Sequence, residues 1–174
     1  MPDATLSDAL MEAYASAPAD VIVYHTLELR HTAFTTPIRV VRDTADLTAT
    51  LEATAPEDPS TEVTFAAFAF DFVRPEISAG GVPQMTIEMD NVDRAIVANI
   101  EAAMATTDLV EATYREYLST DLSAPANDPP IHMTIVSITA DVFRVRAVAG
   151  FPDLVNRRFP TTEYDSETFP GLIP

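Results

Sequence analysis

The sequence predicts an α+β domain that is predominantly antiparallel β, curled toward a barrel or sandwich, with one packed central helix and a short N-terminal helix. Apolar residues alternate with period two in several short segments, the mark of half-buried strands. A single long stretch, 90–104, instead carries an apolar stripe at helical spacing. Between these segments 14 prolines and only 4 glycines punctuate the chain with rigid, irregular connections.

Leu6 to Ala17 reads as a helix, with Leu6, Leu10, Met11 and Tyr14 at helical spacing and Pro18 as its stop. Residues 1–20 then form either an arm on a neighbouring subunit or a terminal helix packed on their own domain. Residues 21–150 make up the β-rich core domain. Val21 to Leu29 alternates, with Val21, Val23, His25, Leu27 and Leu29 on the more apolar face and Ile22, Tyr24, Thr26 and Glu28 opposite. Ile38 to Val41 is a second strand and Leu47 to Ala53 a third. The polar segment 55–60, APEDPS, is a loop.

Glu62 to Arg74 is the clearest strand by pattern, and it places Phe68, Phe70 and Phe72 on one face. Such a row serves as a ligand platform or, more commonly, as a sheet face covered by the core. Gly80-Gly81 turns the chain into Gln84 to Met89, which aligns Met85, Ile87 and Met89. Asp90 then caps the helix 90–104, whose stripe is Val92, Ile96, Ile100 and Ala103. Val110 to Leu118 alternates again, with Val110, Ala112, Tyr114, Glu116 and Leu118 on one face. Ser119 to Pro130 is a polar excursion, either a finger to a partner or a surface loop. Ile131, Met133 and Ile135 mark one further strand, and Phe143, Val145 and Ala147 another. Residues 151–174 carry Phe151, Phe159, Tyr164 and Phe169 among prolines and read as an extended strap laid across a surface.

Composition narrows the function. A chain of 174 residues suits one ordinary core, and with no cysteine it has neither disulfides nor thiolate chemistry. The opening residues have no basic, then apolar, leader, and no segment has the length of a membrane span, so a soluble protein without membrane insertion is expected. The net charge is −17 and every cation is arginine. Such a surface repels phosphates, so specific nucleic-acid binding is not expected, whereas acidic walls suit a channel through which DNA passes.

The three histidines, His25, His31 and His132, have no metal-ligand spacing. Carboxylate pairs such as Glu57-Asp58 are what 27 acidic residues produce by chance. Asp90, Asn91 and Asp93 lack the glycine and terminal glutamate of a calcium loop. No nucleophile elbow or phosphate-binding loop occurs. No catalytic residue, metal site or cofactor is therefore expected. The arginines offer more. Arg144 and Arg146 share a sheet face opposite Phe143 and Val145, and Arg157 and Arg158 precede Phe159. Either they pair with nearby carboxylates, or they form a patch for an acidic face of a sister subunit.

Several short motifs run in order across most of the chain. They are Thr26-Leu27-Glu28-Leu29-Arg30-His31, Phe68 to Arg74, and Met89-Asp90-Asn91-Val92-Asp93-Arg94. Then follow Tyr114-Arg115-Glu116-Tyr117-Leu118, Asp121-Leu122-Ser123, Asn127-Asp128-Pro129-Pro130 and Asn156-Arg157-Arg158-Phe159-Pro160. In these the sequence resembles the phage minor tail proteins catalogued as a domain of unknown function and found in the tail modules of long-tailed phages. The resemblance implies a structural, non-enzymatic virion component near the distal tail tip, between tube and hub, made in the host cytoplasm. It brings no catalytic residues with it.

The expectation is a subunit of a homo-oligomeric ring that contacts other phage tail proteins. Its candidate interface residues are Asn127, Asp128, Pro129, Pro130, Arg144, Arg146, Arg157, Arg158, Phe159 and Phe169. Two other classes remain open: a tail assembly chaperone absent from the mature virion, and a small-molecule or carbohydrate-binding module with Phe68, Phe70 and Phe72 as its platform.

Overall fold

The computed structural model describes residues 6–16, 20–73, 84–90, 99, 102–103, 106, 108–140 and 144–151. A helix, α1 (Asp8–Ser16), is followed by nine strands: β1 (Val23–Arg30), β2 (Ile38–Val41), β3 (Leu47–Thr50), β4 (Glu62–Ala67), β5 (Phe70–Val73), β6 (Gln84–Asp90), β7 (Glu111–Leu118), β8 (Ile131–Ala140) and β9 (Arg144–Gly150). They form one sheet in the order β3-β4-β2-β1-β7-β8-β9-β6-β5. All pairings are antiparallel except that of β2 with β4.

The stretch 62–74 corrects the sequence reading. It is two strands, β4 and β5, separated by Phe68 and Ala69. These strands stand second and ninth in the sheet order, yet two residues span at most about 11 Å between their facing ends. The sheet must therefore roll until its ends meet. At the seam the Phe68 N–H donates to the Val41 carbonyl (2.9 Å), and Arg42 lies 3.4 Å from Asp71. The buried phase shifts at the break: Val63 and Phe65 of β4 are buried under the hairpin, whereas Phe70 of β5 is buried in the main core.

The inside of the roll is apolar. Leu27 and Leu29 of β1, Met85 and Ile87 of β6, Met133 of β8 and Ala149 of β9 are buried together. The central helix contributes to this core. Asn99, Ala102 and Ala103 are helical, and Ala103 is buried. Asp90 closes β6, opposite Arg144 on β9; the rest of the stretch 90–104 lies outside the described residues.

Strands β1 and β7 are covered on both faces. Thr26 and Glu28, on the less apolar face of β1, have no exposed surface, and Ala112 through Leu118 of β7 are all buried. The cover over the outer face is the β3–β4 hairpin with its connecting loop. Leu51, Ala55 and Phe65 pack there on Val41 and Tyr117. On the opposite face of β7, the one that carries Tyr114 and Glu116, α1 sets Leu10 and Ala13 on Leu118, so the N-terminal helix packs on its own domain.

The excursion after β7 folds back onto the same region. Ala126 N–H donates to the Glu116 carbonyl (2.7 Å), Ser7 N–H to the Ala126 carbonyl (3.0 Å), and Thr50 N–H to the Leu122 carbonyl (2.9 Å). None of the described helices is long and apolar enough to cross a membrane.

Candidate functional site

The most unusual chemistry is buried between the β1–β7 face and its hairpin cover. Strand parity turns Glu28 and Arg30 of β1, Arg39 of β2 and Arg115 of β7 to that side, and the loop after β3 lowers Glu52 and Asp58 onto them. Glu28 is fully buried, and three guanidinium groups surround it: Arg39 at 2.8 Å, Arg30 at 3.3 Å and Arg115 at 3.6 Å. Arg115, also fully buried, donates through Nε and Nη2 to the two oxygens of Glu52, at 2.7 and 2.8 Å. Arg39 reaches Asp58 at 2.8 Å, and Arg30 reaches Glu111 at 2.9 Å.

Burial lowers the affinity of the Arg39 guanidinium for its proton, but bonding to Glu28 and Asp58 outweighs it and leaves the group above its ordinary value. Burial likewise pushes the Glu52 carboxyl up. Bonds from Arg115 and from a backbone N–H overcome this and hold it below the usual range. Nearby His132 is driven below its ordinary value by burial and then by the Arg115 charge, and its Nδ1 faces the Thr113 hydroxyl at 3.0 Å. The seven charged groups are committed to one another, so the cluster fastens the hairpin to the sheet. Charges so paired are poorly placed for proton transfer.

A second network gathers on Glu116, which is buried. Its Oε1 accepts from Tyr114 Oη at 2.5 Å and from Tyr14 Oη at 3.0 Å. Since Tyr114 gives its proton to the carboxylate, its oxygen accepts from His25 Nδ1–H at 2.7 Å. Tyr14 belongs to α1, so this network ties the helix to β1 and β7. His31 is also engaged locally: its Nδ1 accepts from Ala33 N–H at 3.0 Å. Among the described residues no three His, Cys, Asp or Glu side chains are grouped to hold a metal ion.

The residues expected at an interface fall into three groups. Asn127 is 4% exposed and serves the domain itself: its Oδ1 accepts from Glu116 N–H at 2.8 Å and its Nδ2 donates to the Tyr114 carbonyl at 3.4 Å. Beside it, Asp128 and Pro129 are exposed and joined by a cis peptide bond, while Pro130 is buried. Arg144 and Arg146 are both open to solvent and both approach Glu88, at 3.8 and 3.6 Å. Arg157, Arg158, Phe159 and Phe169 lie outside the described residues. The phenylalanine row turns inward: Phe70 is buried, and Phe68 and Phe72 are half-buried against the main core.

Sequence reasoning missed the charged cluster. Glu28, Arg30 and Arg115 fall inside quoted motifs, and a glutamate or arginine repeated on one side of a strand was the signal available.

With this geometry in view, the comparison with family models is decisive. A domain of unknown function, DUF1833, matches residues 9–164. The chain belongs to the DUF1833 family. The matched span runs from the second residue of α1 past the end of β9, so it takes in the whole rolled sheet. None of the curated proteins matches the chain.

Proposed function

We propose that this DUF1833 domain is a structural subunit of a bacteriophage tail, placed at the distal tip between tube and hub, where copies assemble into a ring with other tail proteins. The observation that carries this reading is the family match over residues 9–164, since the motifs within that span resemble those of phage minor tail proteins. The chemistry of the interior supports it. The charged cluster holds the hairpin to the strands and the Glu116 network holds the helix, which favours a rigid building block over a catalyst. A net charge of −17 favours walls that DNA passes without adhering.

Immunogold electron microscopy of purified particles, with antibody raised against the whole protein, tests the assignment. Label at the distal tail tip is the expected result. Protein present in lysate but missing from particles by mass spectrometry would overturn it and indicate an assembly chaperone instead.

A further inference from the structure

One acceptor and two donors inside the charged cluster have no hydrogen-bond partner among the described residues. They are Glu28 Oε1, Arg30 Nε and Arg115 Nη1, each with essentially no exposed surface. Burying such groups bare is costly, because each gives up its bonds to solvent and regains none.

Register explains how they come to be left over. Glu28 of β1 stands directly opposite Arg39 of β2, and that pair closes to a 2.8 Å bond through Glu28 Oε2. Arg30 lies two residues along the same strand, and Arg115 of β7 stands opposite Thr26, diagonal to Glu28. Positions so related are about 7 Å apart, against about 5 Å for a direct pair. Their guanidinium groups are also drawn elsewhere. Arg30 gives Nη2 to Glu111, and Arg115 gives Nε and Nη2 to Glu52. Arg30 Nε is left 3.3 Å from Glu28 Oε1 without the alignment of a hydrogen bond, and Arg115 Nη1 is left 3.6 Å from Oε2.

We infer that a single water molecule bridges these three atoms, accepting from Arg30 Nε–H and Arg115 Nη1–H and donating to Glu28 Oε1. The balance of donors and acceptors selects water, which can accept both N–H bonds and still donate to the carboxylate. Two of the three atoms are N–H donors, which rules out a metal cation. An anion would meet the Glu28 carboxylate, in a cluster that already sets Glu28, Glu52, Asp58 and Glu111 against three guanidinium groups. A cleft of about 250 Å³ lined by Arg30, Pro56, Glu111 and His132 brings solvent as far as the Arg30 side chain, so the water has a path of entry. The bridge makes Glu28 the shared acceptor of all three arginines, one directly and two through water. It supplies the bonds that strand spacing withholds.

A crystal structure of the full chain, at a resolution that orders buried water, tests the site, with bromide replacing chloride in the crystallisation salt. The expected result is one peak about 3 Å from each of the three atoms, without anomalous signal from bromide. Bromide at the peak would overturn water in favour of an ion. An absent peak, or one that touches a single guanidinium group, would overturn the bridge. Glu28 Oε1 bonded directly to Arg30 or Arg115 would do the same.

Discussion

Arg115 and Glu52 are 63 residues apart in sequence and form a two-pronged pair, 2.7 and 2.8 Å long, beneath the β3–β4 hairpin. Arg115 has no solvent exposure, so truncating it leaves Glu52 and Glu28 without their shared cation in a poorly hydrated space. Arg115→Met is expected to lower the unfolding free energy by about 3–5 kcal/mol in urea titrations. Arg115→Met/Glu52→Leu should recover part of that loss. A cost below about 1 kcal/mol would place the pair with ordinary surface salt bridges.

Acid should loosen the same region. The Glu52 carboxyl is held low in the folded chain, so its stabilising contribution is complete above the ordinary glutamate range and disappears as pH falls through the folded value. His132 acts in the same direction. Its folded value lies below the unfolded one, so the unfolded chain takes up the proton first and stability declines as pH falls through the ordinary histidine range. Thermal melts should show the decline beginning near neutrality, and His132→Gln should remove that upper part only. A melting temperature independent of pH across both ranges would contradict the assignment.

The Tyr14 hydroxyl ties α1 to β7 alongside the packing of Leu10 and Ala13. Tyr14→Phe removes the bond to Glu116, at an expected cost of about 1 kcal/mol. Hydrogen exchange read by mass spectrometry should show amides of α1 exchanging faster while those of β7 keep their protection. Equal acceleration in both would mean that helix and sheet open as one unit.

Two non-glycine residues in the hairpin loop adopt left-handed backbone, Asp58 at φ 51° and Ser60 at φ 53°. Ser60→Gly should raise stability by about 0.5–1 kcal/mol, the relieved strain exceeding the added freedom of the unfolded chain. Asp58→Gly should not give the same gain, because the bond to Arg39 goes with the side chain. Calorimetry of the two variants side by side distinguishes them.

Asn127→Ala strands the Glu116 N–H inside the domain and should destabilise it by about 2 kcal/mol in chemical denaturation. A variant as stable as wild type, yet defective in assembly, would move Asn127 to the interface expected from sequence.

Much of this architecture was legible beforehand. Ile38–Val41 is a strand with the bounds its pattern gives, and Met85, Ile87 and Met89 are buried together as their spacing requires. The surprises have a common cause. Alternation tells which side chains share a face, but it does not tell what lies over that face. Glu28 lies on the face opposite Leu27 and Leu29, and only the hairpin brought over it from residues 47–65 makes the position internal. Asn127 looked like the tip of a polar loop for the same reason. Its amide replaces a missing strand partner for β7, which no local pattern records.

The two-residue link at Phe68 and Ala69 also bears on how the chain reaches this state. β1 pairs along its whole length with β7, a strand far along the chain.

 Even the nearest paired ends, Arg30 and Glu111, stand 81 positions apart in the chain. Pairing of that kind brings little local reward before a long loop has been closed, so folding is expected to be slow for a domain of this size. The roll closes only when β4 and β5, made consecutively, settle on strands at opposite ends of the sheet. Until then both halves expose unpaired edges, which gives neighbouring nascent chains a period in which to pair wrongly.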